Sequence, residues 1–272
     1  MPELPEIQTL ARQLQKKISG WVLSQISVRT EQILKSPKKD FENKLRGRRI
    51  LGVSRRGKFL RVSVEGDLLL WFHLGMTGQL ICSQTGAAAD PHIHFVLHFQ
   101  DRSSVLIFRD PRKFGSISLS GGRPESLPEG VRLLGPDPFQ ISADAFAGLF
   151  KSRTGRIKSL LLNQRLISGI GNIYADESLH RAGIDPRRRP HRIHRERLVR
   201  LHGAICQTMT EAIRKGGSSI DDYLHADGGR GSFQDFHRVY GRSGEPCPAC
   251  GQSVRQVRLA GRSASFCAQC QK

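Results

Sequence analysis

Four cysteines near the end of the chain, spaced Cys247-x2-Cys250-x16-Cys267-x2-Cys270, constrain its fold more than any other feature. Two close pairs at this interval can wrap four thiolates around one zinc ion in a tetrahedron. Such a site has no open coordination position, so it is structural and holds a hairpin too small to own a core. Zinc ligation in small finger peptides is worth on the order of 10–16 kcal/mol, ample for that task. A redox pair is the rival reading, but two CxxC motifs at this separation favour metal in a reducing compartment. Cys82 and Cys206 stand alone and read as buried filler. Arg255, Arg258 and Arg262 lie between the pairs, and a basic zinc hairpin reads as a nucleic-acid clamp.

The rest of the chain carries the same sign of charge. Its 272 residues hold 43 lysines and arginines against 24 acids, a formal charge of +19, which points to a polyanionic partner. With 38% hydrophobic residues interleaved, this is a folded basic protein of about two domains and not a disordered tail. No apolar run approaches the ~20 residues of a membrane span. Acidic Glu3 and Glu6 stand where a signal peptide would be basic, so the cytoplasm is the expected location.

Local patterns change texture midway. Ile7, Leu10, Ala11, Leu14 and Ile18 fall at helical spacing, with Pro5 suited to a first turn and Gly20 able to end the helix. Strand-like runs follow at 21–28, 49–53, 59–64, 68–72, 92–99, 104–108 and 116–119, broken by short Gly- and Asp-containing turns; they predict an antiparallel β-sandwich. His92, His94 and His98 alternate along one run and read as a solvated sheet face rather than a metal site. A Gly-Pro-rich stretch from Leu134 to Phe139 reads as a linker. Beyond it helices are predicted at 143–151, 157–163, 172–181 and 194–214. Arg187 to Arg200 holds seven arginines and one glutamate, a solvated face or a phosphate-contacting one.

Chemistry concentrates at the opening, Met1-Pro2-Glu3-Leu4-Pro5-Glu6. Trimming of Met1, usual before a small residue, would leave Pro2 with a free secondary amine. An α-amine titrates near 7.7–8.0 and a lysine near 10.4, so the terminal amine is far more often the nucleophilic base at neutral pH. It can attack an electrophilic carbon and form an iminium, with Glu3 placed to move protons. Elsewhere, Gly169-Ile170-Gly171-Asn172-Ile173-Tyr174-Ala175-Asp176-Glu177 opens a helix whose free N–H groups could take a phosphate. Arg55-Arg56-Gly57-Lys58-Phe59 is a turn presenting Lys58.

These motifs occur in one order: PELPE, Lys58 in RRGKF, Met76 in HLGMTG, Arg112 and Phe114 in DPRKFG, GIGNIYADE, and the four-cysteine finger. In this the chain resembles the formamidopyrimidine-DNA glycosylase family, the Fpg/MutM branch of the helix–two-turn–helix (H2TH) glycosylases, across its whole length.

The resemblance implies an α+β multidomain fold: an N-terminal catalytic β-sandwich with its terminal helix (1–133), a linker (134–142), a helical H2TH domain with a lesion-capping loop (143–236), and a C-terminal zinc finger (237–272). DNA would bind between the domains. It implies a bifunctional DNA glycosylase/AP lyase of base excision repair, acting on 8-oxoguanine and formamidopyrimidines in double-stranded DNA as a monomer on the bacterial nucleoid. Pro2 would attack C1′ and form the Schiff base, and β,δ-elimination would cut the strand. Glu3 and Lys58 would assist. Glu6, Ser219, Ile220 and Tyr223 would recognise the lesion. Met76, Arg112 and Phe114 would fill the space left by the flipped nucleotide. His73, Lys158, Asn172 and Arg262 would grip phosphates, and the four cysteines one structural Zn2+. The rivals are a relative preferring oxidised pyrimidines, hydantoins or abasic sites, and a non-catalytic zinc-finger DNA-binding protein. Two positions depart from the family's usual pattern: Asp221 replaces a common Lys or Arg, and Gln8 a common Glu. They bear on how 8-oxoguanine is held and not on the lyase chemistry.

Overall fold

The computed structural model describes residues 1–84, 90–220 and 222–272, so Asp221 lies outside the described residues. The chain divides into two compact units, Met1–Arg132 with Lys215–Ser232, and Leu133–Arg214 with Phe233–Lys272.

The first unit begins with helix α1 (Leu4–Ile18), started by a reciprocal capping box between Glu3 and Glu6 with Pro5 in the first turn. Its apolar stripe of Ile7, Leu10, Ala11, Leu14 and Ile18 is fully buried, and it packs on two strands of the sheet below. Those strands belong to the set β1 (Leu23–Val28), β2 (Ile50–Arg56), β3 (Phe59–Val64), β4 (Leu68–His73), β5 (Gln79–Ser83), β6 (Ile93–Phe99), β7 (Val105–Arg109) and β8 (Ser116–Gly121). They form two antiparallel sheets, ordered β1-β6-β7-β5 and β2-β3-β4-β8. Alternation drives the pairing: β3 reads half-buried and buried in turn, so Leu60, Val62 and Val64 enter the core. Edge-to-face rings at its centre include Phe41–Phe95 at 5.7 Å and Phe72–Phe95 at 6.1 Å. This is the sandwich with a terminal helix that the strand runs predicted.

Three elements, one strand and two short helices, were not anticipated, and one reading is corrected. Strand β5 follows the HLGMTG turn directly, and helix α2 (Lys38–Leu45) has only Phe41 and Leu45 buried, too sparse a stripe to show periodicity. The histidines do not share a solvated face. His94 is 1% exposed, its ring nitrogens bound to Thr30 Oγ1 (2.9 Å) and the Asp110 carbonyl (2.9 Å). A bulge between Ile93 and Phe95 breaks the alternation that would have turned it outward.

A short helix α3 (Glu129–Arg132) closes the first stretch of this unit. The second unit carries α4 (Ala143–Lys151), α5 (Ile157–Leu161), α6 (Asn172–Arg181) and α7 (Arg195–Arg214), then the hairpin β9 (Arg255–Leu259) and β10 (Arg262–Phe266). Helix α7 packs on both α4 and α6. The hairpin turn is Ala260-Gly261, both at positive φ, the conformation a two-residue hairpin needs. Among the described residues, no helix is long and apolar enough to cross a membrane.

Candidate functional site

Glu6 organises the opening of the chain. Its Oε2 accepts the Glu3 N–H at 2.8 Å, its Oε1 accepts the Ser218 N–H at 2.8 Å, and its carbonyl accepts the Tyr223 hydroxyl at 3.1 Å. A carboxylate 1% exposed thereby ties the helix start to the loop after α7. Pro2 and Glu3 are buried beside it. Burial and the Glu6 carboxylate push the Tyr223 phenol well above its ordinary pKa, so it stays a hydrogen-bond donor. Ser219 Oγ donates to the Tyr223 carbonyl (3.0 Å) and accepts the Gly231 N–H (2.9 Å), while Ile220 is 44% exposed at the loop tip. Of the four residues expected to recognise the lesion, the structure brings Glu6, Ser219 and Tyr223 together in one hydrogen-bonded cluster and leaves Ile220 exposed. Gln8, in turn, accepts from Arg55 Nε at 2.8 Å and links α1 to β2.

Met76, Arg112 and Phe114 stand on two adjoining loops. A Cβ on Gly75, whose φ is +62°, would lie 2.6 Å from the Phe114 carbonyl carbon, so only glycine permits this approach. Arg112 lies over the Phe114 ring at 4.6 Å. Met76 is 42% and Phe114 56% exposed, costly for apolar groups unless another molecule covers them. Asp110 sets the second loop. Wholly buried, it accepts the Gly115 N–H at 2.7 Å, the Arg112 N–H at 3.3 Å and the Thr77 hydroxyl.

Lys58 follows Gly57, at φ +55°, in the tight turn between β2 and β3, and is only 6% exposed. His73 pairs across the sheet with Phe59, and their rings lie 4.8 Å apart. Burial, and then the Lys58 ammonium, lower the His73 pKa to about 4. With Nδ1 accepting from Gly75 N at 3.2 Å, His73 is a neutral imidazole whose Nε2–H is the remaining donor. It can serve a phosphate by hydrogen bond, not by charge.

In the second unit, Asn172 Nδ2 reaches Ser263 Oγ at 3.3 Å, and Arg262 is exposed beside it on β10. Lys158 is the buried member of the set expected to grip phosphates. Its Nζ lies 2.7 Å from Asp176 Oδ1 and donates to the Ser263 carbonyl. Asp176 Oδ2 accepts the Ser265 N–H at 3.0 Å. Burial lifts the Asp176 carboxyl to about 7 despite Lys158, so the pair sits close to break-even. Removing one partner should therefore cost far more than removing both. Asp176→Leu is expected to destabilise this unit by about 3–5 kcal/mol, and Lys158→Met with Asp176→Leu by much less. Denaturant unfolding of the two variants checks this.

The arginine run separates into two groups. Arg187 pairs with Asp185 (2.6 Å) and lies over the Phe266 ring, Arg195 pairs with Asp144 (2.7 Å), and Arg197 caps the carbonyls of Gly183 and Lys272. Arg188, Arg189, Arg192 and Arg200 are exposed, and among the described residues their guanidiniums have no such partner. The four zinc-spaced cysteines converge, with all Sγ atoms within 4.8 Å of one another. A tetrahedron of Zn–S bonds near 2.3 Å requires S···S separations of about 3.8 Å. Cys247–Cys270 at 3.9 Å matches that value and Cys250–Cys267 at 3.4 Å lies somewhat inside it, and the four-thiol cluster is a site for one structural Zn2+.

Sequence reasoning missed three supports. Asp110 opens the DPRKFG motif, yet its role depends on burial. Gly231 gives no local signal, but a Cβ there would lie 2.3 Å from the Gly217 carbonyl oxygen. Gln79 Nε2 donates to the Asp222 carbonyl across 143 residues at 2.5 Å, a separation no local pattern reveals.

Comparison with known proteins covers the whole of this architecture. Residues 1–117 match the formamidopyrimidine-DNA glycosylase N-terminal domain, 134–223 the H2TH domain of the same proteins, and 244–272 the zinc finger found in FPG and IleRS. The chain is 47% identical over 273 residues to the formamidopyrimidine-DNA glycosylase of Solibacter usitatus, covering 100% of both. Lactococcus lactis Fpg (MutM) complexed with N7-benzyl-Fapy-dG DNA superimposes with a TM-score of 0.91 at 34% identity, covering 100% of both chains. The same protein complexed with DNA containing an abasic site gives 0.91 at 34% identity over 99% of both chains.

Proposed function

Because the chain belongs to the formamidopyrimidine-DNA glycosylase family and is a DNA glycosylase/AP lyase that removes oxidised purines, we propose that Pro2 is its nucleophile and Glu6 the hinge between chemistry and lesion recognition. The observation that carries this reading is the Glu6 carboxylate, bound at once to the Glu3 N–H beside Pro2 and to Ser218 of the 216–223 loop. A lesion held by that loop would lie where the terminal amine can reach C1′.

The flipped nucleotide exposes C1′ to in-line attack by the Pro2 nitrogen. Departure of the base leaves C1′ bonded to the Pro2 nitrogen and to the ring oxygen; opening of the C1′–O4′ bond, with Glu3 delivering a proton to O4′, then gives an iminium, whose electron-withdrawing carbon acidifies the neighbouring C2′ proton and opens the way to β- and then δ-elimination. Glu3 moves protons, and Lys58 assists base removal. Met76, Arg112 and Phe114 occupy the gap. Residues 1–133 do the chemistry, aided by the 216–223 loop; 143–236 and the finger at 237–272 hold the backbone. Asn172, Arg262 and neutral His73 bind phosphates directly, whereas Lys158 anchors Ser263 and with it the adjoining Arg262. The enzyme works as a monomer on the bacterial nucleoid.

Borohydride trapping on duplexes carrying 8-oxoguanine opposite cytosine, beside an abasic duplex, tests the reading. Adducts on both are expected. An adduct on the abasic duplex alone would keep the lyase and remove 8-oxoguanine from its substrates. A second measurement concerns the exposed arginines. Replacing Arg188, Arg189, Arg192 and Arg200 with alanine is expected to flatten the salt dependence of DNA binding, by about 0.9 in log–log slope for each phosphate these side chains neutralise. An unchanged slope would make them a solvated face.

A further inference from the structure

Helix α6 presents four polar side chains to the zinc ribbon and the segment leading into it. Asn172, Asp176, Glu177 and His180 fall at i, i+4, i+5 and i+8, one face of a helix. Three hold backbone or hydroxyl groups. Asn172 reaches Ser263, Asp176 accepts from Ser265, and the Glu177 carboxylate accepts the N–H groups of Arg238 (2.9 Å), Val239 (3.0 Å) and Tyr240 (2.8 Å). The fourth touches a metal ligand. His180 Nε2 lies 3.5 Å from Cys247 Sγ, and the two residues are 5% and 2% exposed.

The chemistry of the pair fixes its direction. A zinc-bound cysteine is a thiolate with no proton to give, so the imidazole must be the donor. Nε2 then carries the hydrogen and Nδ1 is bare. Nδ1 is buried and has no hydrogen-bond partner among the described residues. That is tolerable for an acceptor nitrogen and costly for an N–H, so the surroundings select the same tautomer.

We propose that His180 is an outer-shell donor to the Cys247 thiolate, a positioning residue that sets how tightly the zinc is held. It rests on the four-cysteine zinc site. The N–H···S bond draws charge from the sulfur, making it harder to protonate and slower to leave the metal. Because His180 shares α6 with Asn172, the same helix then spans the zinc and a phosphate-binding position.

The test uses His180→Phe, which keeps a ring in the space without an N–H, and His180→Gln, which restores a donor. Outer-shell partners are typically worth 10–100-fold in metal affinity, so His180→Phe is expected to speed zinc transfer to a chromogenic chelator by about 10-fold or more. In cobalt-substituted protein its sulfur-to-metal charge-transfer band should shift. His180→Gln should recover part of both changes. Wild-type release and an unshifted band in His180→Phe would overturn the proposal, as would equal defects in both variants, which would mark His180 as packing alone. If His180→Phe does not fold, wild-type protein loaded with 113Cd decides: a scalar coupling between the Nε2 proton and the metal is expected, and its absence overturns the hydrogen bond. Full-length protein that retains no metal at all would overturn the zinc site itself, a failure separate from that of His180.

Discussion

Protein that retains Met1 is expected to bind duplexes containing an oxidised purine and to cut none of them. In that form the Pro2 nitrogen belongs to a peptide bond, and amide resonance withdraws the lone pair that must attack C1′. Pro2→Gly tests the same step differently. It keeps an amine but loses the pyrrolidine ring that fixes the first backbone angle, so the nitrogen is no longer held against the buried Glu3–Glu6 capping box. Strand cutting should fall by orders of magnitude, approaching the 10^4–10^6-fold scale on which enzymes lose a covalent nucleophile. Binding should change little, because phosphate contacts dominate it and Pro2 is not among them. The measurement pairs borohydride trapping with a binding isotherm on one duplex, using protein whose N-terminus has been established by mass. Undiminished cutting by the Met1-retaining form would remove Pro2 from the mechanism and return attention to Lys58.

What could be read from the sequence depended on whether the governing interaction is local. Helices α4 and α6 begin and end at the expected residues, Ala143–Lys151 and Asn172–Arg181, because their starts are marked in the chain by Ser142 and by the glycines before Asn172. The sandwich strands are legible as short apolar runs broken by turn residues, and the cysteine spacing announces its tetrahedron. Helix α2 did not stand out, since two buried residues make no period. His94 was misplaced because a bulge is invisible to an alternation rule. Lys158 shows the limit best. The family resemblance makes Lys158 a phosphate contact, and nothing local in the sequence shows that Asp176, eighteen residues on, lies 2.7 Å from its ammonium. The Glu6 cluster also escaped local reading, because Ser218 and Tyr223 lie 212 and 217 residues away.

Cys267→Ser, or removal of zinc by a strong chelator, is expected to unfold the C-terminal ribbon while leaving helices α4 to α7 in place. The buried cluster around the two knuckles consists of Val239, Val254, Cys247 and Cys267, with Cys270 packed against it, so little apolar area remains there once the ligands separate. At ~25 cal/mol per Å2, two valines contribute about 3–6 kcal/mol. Zinc ligation in comparable small peptides supplies on the order of 10–16 kcal/mol, so the metal dominates this module. Its loss should reach the nucleic acid through Arg262. That residue sits on β10 between Gly261 and Ser263, and Ser263 is held by Lys158 and Asn172 on the helical side. Without the hairpin those anchors hold nothing, and Arg262 loses its fixed position. Zinc content should fall well below one per chain, helical circular dichroism should persist, and affinity for a lesion-containing duplex should drop with a shallower salt slope. Metal-free protein that binds DNA with unchanged affinity and slope would show that the ribbon is not a clamp. In that case phosphate binding would rest on Asn172, His73 and the exposed arginines of the 187–200 run.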